Sequence, residues 1–141
     1  MAHRLGKESG MEKTQINPWK WQDQYGFSQC WKVDGAKSLI VVSGQSSMSA
    51  DGAVLHAGDF KAQARLTFEN MHTVLEHSGA SLEDVVKLGA YFVGIDMQKL
   101  MDYGAVQAEF FKGKMPAQTL IGVAQLALPD MMLEVEAYAV V

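Results

Sequence analysis

Two short stretches of the chain carry residue types that could do chemistry. In Leu133-Glu134-Val135-Glu136-Ala137, strand alternation sends Glu134 and Glu136 to one face and the apolar residues to the other. A solvated edge accounts for such a pair. A cleft between subunits would instead bury one carboxylate, raise its pKa and make it a proton carrier; which of the two would face a cleft stays open at this level. The second stretch is Ser43-Gly44-Gln45, at the end of an apolar, β-branched run. Chain polarity puts its hydroxyl, amide and glycine backbone at the mouth of a sheet, where a small ligand could be held.

The remaining chemistry-bearing residues read as structural. His72 and His77 are five apart, which on a helix places them about 140° from one another, so they cannot share a metal and are expected to face solvent. His56 falls in a loop and could line a cleft, but it stands alone. Cys30 is expected as a buried, inert thiol, since no base adjoins it in sequence. The three tryptophans, Trp19, Trp21 and Trp31, could stack on a ring ligand but are expected to bury a sheet edge. The nine methionines are scattered, as core and interface filler is. No glycine-rich phosphate loop and no His-Glu-x-x-His motif occurs.

The elements that position these residues are legible in outline. Ser28–Asp34 alternates and Ser38–Ser43 is almost wholly apolar; with Asp34-Gly35 between them they predict a hairpin, its second strand central and buried on both faces. A long loop follows with Asp51-Gly52 at its tip. Asp59 then caps a helix to about Ser78, with Phe60, Ala64, Phe68, Met71 and Leu75 on one face. Ser81 and Asp84 predict a capped turn before a strand over Val85–Val93, and Asp96 caps a second helix to about Lys112. Strands over Thr119–Val123 and Leu133–Val141 complete a β-β-α-β-α-β-β order. That order is α+β, a mixed sheet with helices on one face. In so small a domain the other face stays bare unless another chain covers it, which predicts oligomerisation.

Length and charge bound the rest. The chain has 141 residues, suiting one domain. Residues 1–10 are expected to be a flexible leader or expression scar, with the single domain over 11–141. Sixteen acidic against twelve basic residues, a net charge of −4, argue against a nucleic-acid partner. No apolar run reaches the roughly 18–20 residues of a membrane span. A single cysteine excludes an intramolecular disulfide and suits a cytoplasmic protein.

Taken together, Val42-Ser43-Gly44-Gln45, Gly58-Asp59 with Gln63 and Asn70, Val85-Val86-Lys87, Tyr91, Pro116-Ala117 and Leu133-Glu134-Val135-Glu136-Ala137 resemble the Rid (YjgF-like) family of imine/enamine deaminases. The resemblance runs from about Gly26 to the C-terminus. It implies a fold like bacterial trimeric chorismate mutase, a homotrimer with small-molecule clefts between subunits, and neither cofactor nor metal. It also implies site roles: Glu134 as the catalytic carboxylate, with Ser43, Gln118, Phe27 and Tyr91 binding substrate. Gln118 stands where deaminating members carry an arginine that holds the substrate carboxylate. Phe27 replaces a tyrosine, a cleft asparagine falls on or beside Gly104, and Leu120 replaces a cysteine.

A guanidinium offers a charged fork matched to a carboxylate, whereas glutamine offers a neutral amide. Hydrogen bonds to charged groups are worth roughly 1.5–3 kcal/mol, so losing one weakens binding of a 2-imino acid by about 10–100-fold. The expectation is an imine or enamine hydrolase that is not an efficient 2-aminoacrylate deaminase. The alternative is a metabolite-binding trimer without turnover; an endoribonuclease, another activity attached to the family, fits the acidic charge least.

Overall fold

The computed structural model describes residues 10–113 and 115–141, so most of the expected leader lies outside the described residues. The strands are β1 (Glu12–Ile16), β2 (Cys30–Asp34), β3 (Leu39–Gln45), β4 (Val85–Val93), β5 (Ala117–Val123) and β6 (Leu133–Val140). The helices are α1 (Phe60–His77) and α2 (Met97–Phe110), with 3-10 turns at Trp21–Tyr25 and Leu82–Asp84. Four strands form a mixed sheet in the order β3-β6-β4-β5, in which only β4 and β5 are parallel neighbours. The α2 crossover is what permits that parallel pair. A separate antiparallel ribbon joins β1 to β2.

Local chemistry explains the helices. Asp59 accepts the Ala62 N–H at 3.0 Å and Asp96 accepts the Lys99 N–H at 2.8 Å, each satisfying a donor that a helix start leaves orphaned. Before β4, Asp84 accepts the Ser81 N–H at 2.8 Å, closing the expected capped turn. Phe60, Ala64, Phe68, Met71 and Leu75 of α1 bury one stripe against Leu133, Val135, Ala137 and Ala139 of β6 and Leu88, Ala90 and Phe92 of β4. Tyr103 of α2 completes this layer, its ring 4.9 Å from Phe92 and 5.6 Å from Phe68. Both helices thus cover one face of the sheet. His72 and His77 face solvent, His72 pairing with Glu76 at 3.2 Å.

Several expectations need correction. Glu12–Ile16 is a strand that the sequence reading missed. It, and not β3, is the partner of β2, so the expected hairpin is absent. The register pairs Lys13 with Val33 and Gln15 with Trp31, putting the half-buried residues of both strands on one face. β3 instead takes β6 as its antiparallel partner, and the backbones of Ser38 and Val141 bond in both directions. β3 is consequently an edge strand. Ile40 and Val42 point under the helices, but Leu39 and Val41 remain 64% and 65% exposed on the bare face. Cys30 is exposed, as the outward residue of a two-stranded ribbon, and Trp19 and Trp21 are more than half exposed. α2 stops at Phe110, two residues early, and β5 begins at Ala117.

One side chain organises the loops. Gln63, fully buried on α1, donates through Nε2 to the carbonyls of Leu55, His56 and Asp130 and accepts the Met132 N–H through Oε1, at 2.8–3.3 Å. His56 and Asp130 are the two described non-glycine residues with positive φ, 58° and 68°. Gln63 therefore holds both sites of backbone strain. Asn70 similarly ties the carbonyls of Ser46 and Met48, each at 2.9 Å.

Candidate functional site

The bare face of the sheet gathers three of the five predicted residues. Alternation in β6 buries Leu133, Val135 and Ala137 and turns Glu134 and Glu136 together onto this face. Each carboxylate lies flat over a glycine. A Cβ at Gly44 of β3 would overlap the Glu134 carboxylate, meeting Cδ at 2.7 Å and Cγ at 2.8 Å. A Cβ at Gly89 of β4 would meet Glu136 Oε1 at 2.7 Å. The pairing of β3 with β6 breaks register between Val42 and Gln45, so exposed Ser43 and half-buried Gly44 occupy an irregularity beside Glu134. Such irregularities re-aim side chains at strand ends.

Tyr91 stands opposite Glu134 in register but donates its hydroxyl to Glu136 Oε1 at 2.9 Å. That bond, the charge of Glu136, burial and the nearby Glu134 and Tyr138 all hold the phenol above its ordinary pKa. Tyr91 therefore stays a donor at neutral pH. It occupies one side of Glu136 and leaves Glu134 beside Ser43. Lys87 Nζ donates to Thr119 Oγ1 at 2.7 Å on the same face.

Gln118 lies elsewhere. The parallel register pairs it with Leu88, which puts its side chain on the helix-covered face. There Tyr103 donates its hydroxyl to Gln118 Oε1 at 2.7 Å, and Gln118 Nε2 reaches Gln107 Oε1 at 3.5 Å. Complete burial pushes the Tyr103 phenol far above its ordinary pKa. Phe27 stands near the same end of β5: Ser28 pairs with Ala117 and donates its backbone N–H to the Pro116 carbonyl at 3.0 Å. The Phe27 ring packs edge-on against Trp21, 5.8 Å between centroids.

One chain thus brings Ser43, Tyr91 and Glu134 together and keeps Gln118 and Phe27 apart from them. Sequence reasoning missed Tyr103 and Gln107 as partners of Gln118. Their i, i+4 spacing on α2 is the signal that could have found them. Gln63 and Asn70, which contribute to the family resemblance, act on loop backbone. Two surface cavities, of about 280 and 460 Å³, are lined by none of the five predicted residues. Among the described residues, no three His, Cys, Asp or Glu side chains converge as metal ligands would.

Comparison with known proteins bears on this arrangement. The family model described as Endoribonuclease L-PSP matches residues 23–141. A RutC family protein of Pyrococcus abyssi is 34% identical over 113 residues, covering 80% of this chain and 84% of the relative. A 2-iminobutanoate/2-iminopropanoate deaminase of Dermatophagoides farinae is 33% identical over 118 residues, covering 82% and 85%. The crystal structure of a Rid-family protein of unknown function from Yersinia pestis superposes with a TM-score of 0.85 at 30% identity, covering 92% of this chain and 98% of that one. With the mixed sheet, the paired helices and most of the length in common, this chain belongs to the Rid (YjgF-like) family.

Proposed function

We propose that the protein hydrolyses a small, neutral imine or enamine at clefts between the subunits of a homotrimer. The observation that carries this reading is the Glu134 carboxylate, laid over Gly44 beside Ser43 on a sheet face no helix covers. Water adds to the C=N carbon while Glu134 accepts its proton and passes it to nitrogen. Ammonia then leaves and a carbonyl compound remains, so water is the sole co-reactant. An enamine first takes a proton at carbon to become the imine. Ser43 and Gln118 hydrogen-bond the substrate, Phe27 gives an apolar wall, and Tyr91 restrains Glu136.

The same geometry supports the proposed assembly. Glu134 and Gln118 project from opposite faces of one sheet, so one ligand touching both needs two copies of the chain. Exposed Leu39, Val41 and Ile121 on the bare face support burial against a neighbour. The 33% identical deaminase supports the reaction class. A cytoplasmic setting and a domain over 11–141 belong to the same proposal. The ribonuclease description of the family is disfavoured for this chain by its net charge of −4.

The test generates 2-aminoacrylate and a neutral imine in situ and follows ammonia release by the natural protein and by Gln118→Arg. The expected result is turnover of the neutral imine, little acceleration with 2-aminoacrylate, and a gain on 2-aminoacrylate in the variant. Robust 2-aminoacrylate turnover by the natural protein would overturn the role given to Gln118. No turnover of either compound, with binding retained, would favour a metabolite-binding trimer, for which the missing arginine already speaks. Light scattering behind a sizing column tests the assembly; a monomer peak would contradict it.

A further inference from the structure

A surface cavity of about 280 Å³ opens between the β1–β2 ribbon and the start of β4, lined by Lys13, Trp31, Glu83, Val85, Val86 and Lys112. That volume lies just under the roughly 300–1,000 Å³ of drug-sized ligand sites, so it suits a small occupant. Lys13 is the unexpected residue in its wall. Alternation turns Lys13 to the half-buried face of the ribbon, where Gln15, Trp31 and Val33 are its uncharged companions. Long cations are seldom turned inward without a partner for their charge. Lys13 Nζ donates to the Glu83 carbonyl at 2.8 Å, a neutral acceptor, and an ammonium carries further donors beyond that one. The ion pairs among the described residues, Lys32–Asp34, Arg65–Glu109 and His72–Glu76, include neither Lys13 nor Lys112. Opposite this charge the wall is apolar. Val85 is buried and Val86 half-buried, and Trp31 donates its indole N–H to the Met115 carbonyl at 2.9 Å, which fixes the ring in place.

We propose that this cavity binds a small aromatic carboxylate, its ring against Trp31, Val85 and Val86 and its carboxylate toward Lys13 and Lys112. Each half of such a ligand answers a different part of the wall. The carboxylate supplies the counter-charge, and charge-assisted hydrogen bonds are about twice as strong as neutral ones. The ring removes apolar surface from water and meets an indole, with which aromatic rings pack favourably. An inorganic anion would leave the apolar wall wet, and a neutral ring would leave the lysines without a counter-ion. Ser43, Glu134 and Gln118 do not line the cavity, so the site stands or falls separately from the hydrolase reading.

Phenylacetate is the probe, with phenylacetamide as its neutral counterpart and acetate as the charge without the ring. Titration of the ¹⁵N-labelled full chain reads the Trp31 indole N–H and the backbone amides of Lys13, Val85 and Val86. Phenylacetate is expected to shift these signals saturably and to bind at least about tenfold tighter than either control. Lys13→Met, which keeps the apolar stem, is expected to weaken phenylacetate about tenfold and to leave phenylacetamide unchanged. Lys112→Gln, at an exposed position that folding does not depend on, is expected to weaken phenylacetate about threefold. The backbone amide spectrum of each variant serves as the folding control. Equal binding of phenylacetate and phenylacetamide, or affinity unaltered in both lysine variants, would overturn the proposal. So would a Trp31 signal that stays still on titration with phenylacetate, or shifts confined to Ser43 and Glu134.

Discussion

The two faces of one sheet treat polar side chains in opposite ways. On the bare face the carboxylates of Glu134 and Glu136 lie over glycines, and Glu136 meets a phenol donor. Under α2, Gln118 is held by a phenol and an amide, with no charged group in its hydrogen bonds. A charge is tolerable where water reaches it and costs several kcal/mol where it does not, unless paired. The contrast separates the charged side chains, on the bare face, from the neutral hydrogen-bonding ones, on the covered face. The proposed cleft would draw each from a different copy.

That division can be broken or sharpened by substitution. Glu134→Gln keeps the shape and removes the proposed base, so imine hydrolysis is expected to fall by about 100-fold or more with the oligomeric state unchanged. A loss below fivefold would move the proton transfer to Glu136. Gly44→Ala puts a methyl group where the Glu134 carboxylate lies. The side chain can swing aside, so activity is expected to drop about tenfold with the thermal midpoint nearly unchanged, read by parallel activity and melting measurements.

On the covered side, Tyr103→Phe removes the donor to Gln118 and is expected to cost about 1–2 kcal/mol in denaturant unfolding. Its pH dependence has a definite sign. Burial raises the Tyr103 pKa, so the native state keeps a proton that the unfolded chain loses near pH 10. The associated stability is complete below about pH 10 and declines as pH rises above it. Tyr103→Phe should therefore flatten the alkaline loss of stability. The smallest effect is expected from Tyr91→Phe. Its pKa is raised in the same direction, chiefly by the bond to Glu136, but the group is partly exposed and solvent screens it. A Tyr91→Phe slope as flat as that of Tyr103→Phe would show the bare face to be covered in solution.

Features written in local chemistry were legible in the sequence: the Asp59 and Asp96 caps, the Ser81–Asp84 turn and the two-faced alternation of β6. Features set by distant pairing were not. Asp34-Gly35 looks like a hairpin turn whichever strand β2 joins, and only the half-buried face of Trp31 and Val33 selects Lys13 and Gln15 as partners. The apolar run of β3 suggests a central strand, yet its register exposes Leu39 and Val41. That mismatch is what supports the proposed neighbouring copy. The face occupied by Gln118 depends on its parallel register with Leu88, which the α2 crossover sets and no nearby residue announces. Ser43 and Glu134 are linked through the family resemblance, since the pairing of β3 with β6 that joins them is equally distant in sequence.

Gln63 has a consequence for how the chain comes apart. It spans 67 residues to Asp130 and 69 to Met132, so its bonds close a long loop, and such contacts form only once distant segments have met. It also restrains the two residues whose backbones are strained, and that strain is released when the latch opens. The loops before α1 and before β6 should therefore detach together, ahead of the sheet, as one cooperative opening unit. In hydrogen exchange, the Met132 amide that Gln63 accepts should open with the Asp59 amide, bonded to the His56 carbonyl, at a shared free energy below that of the core strands.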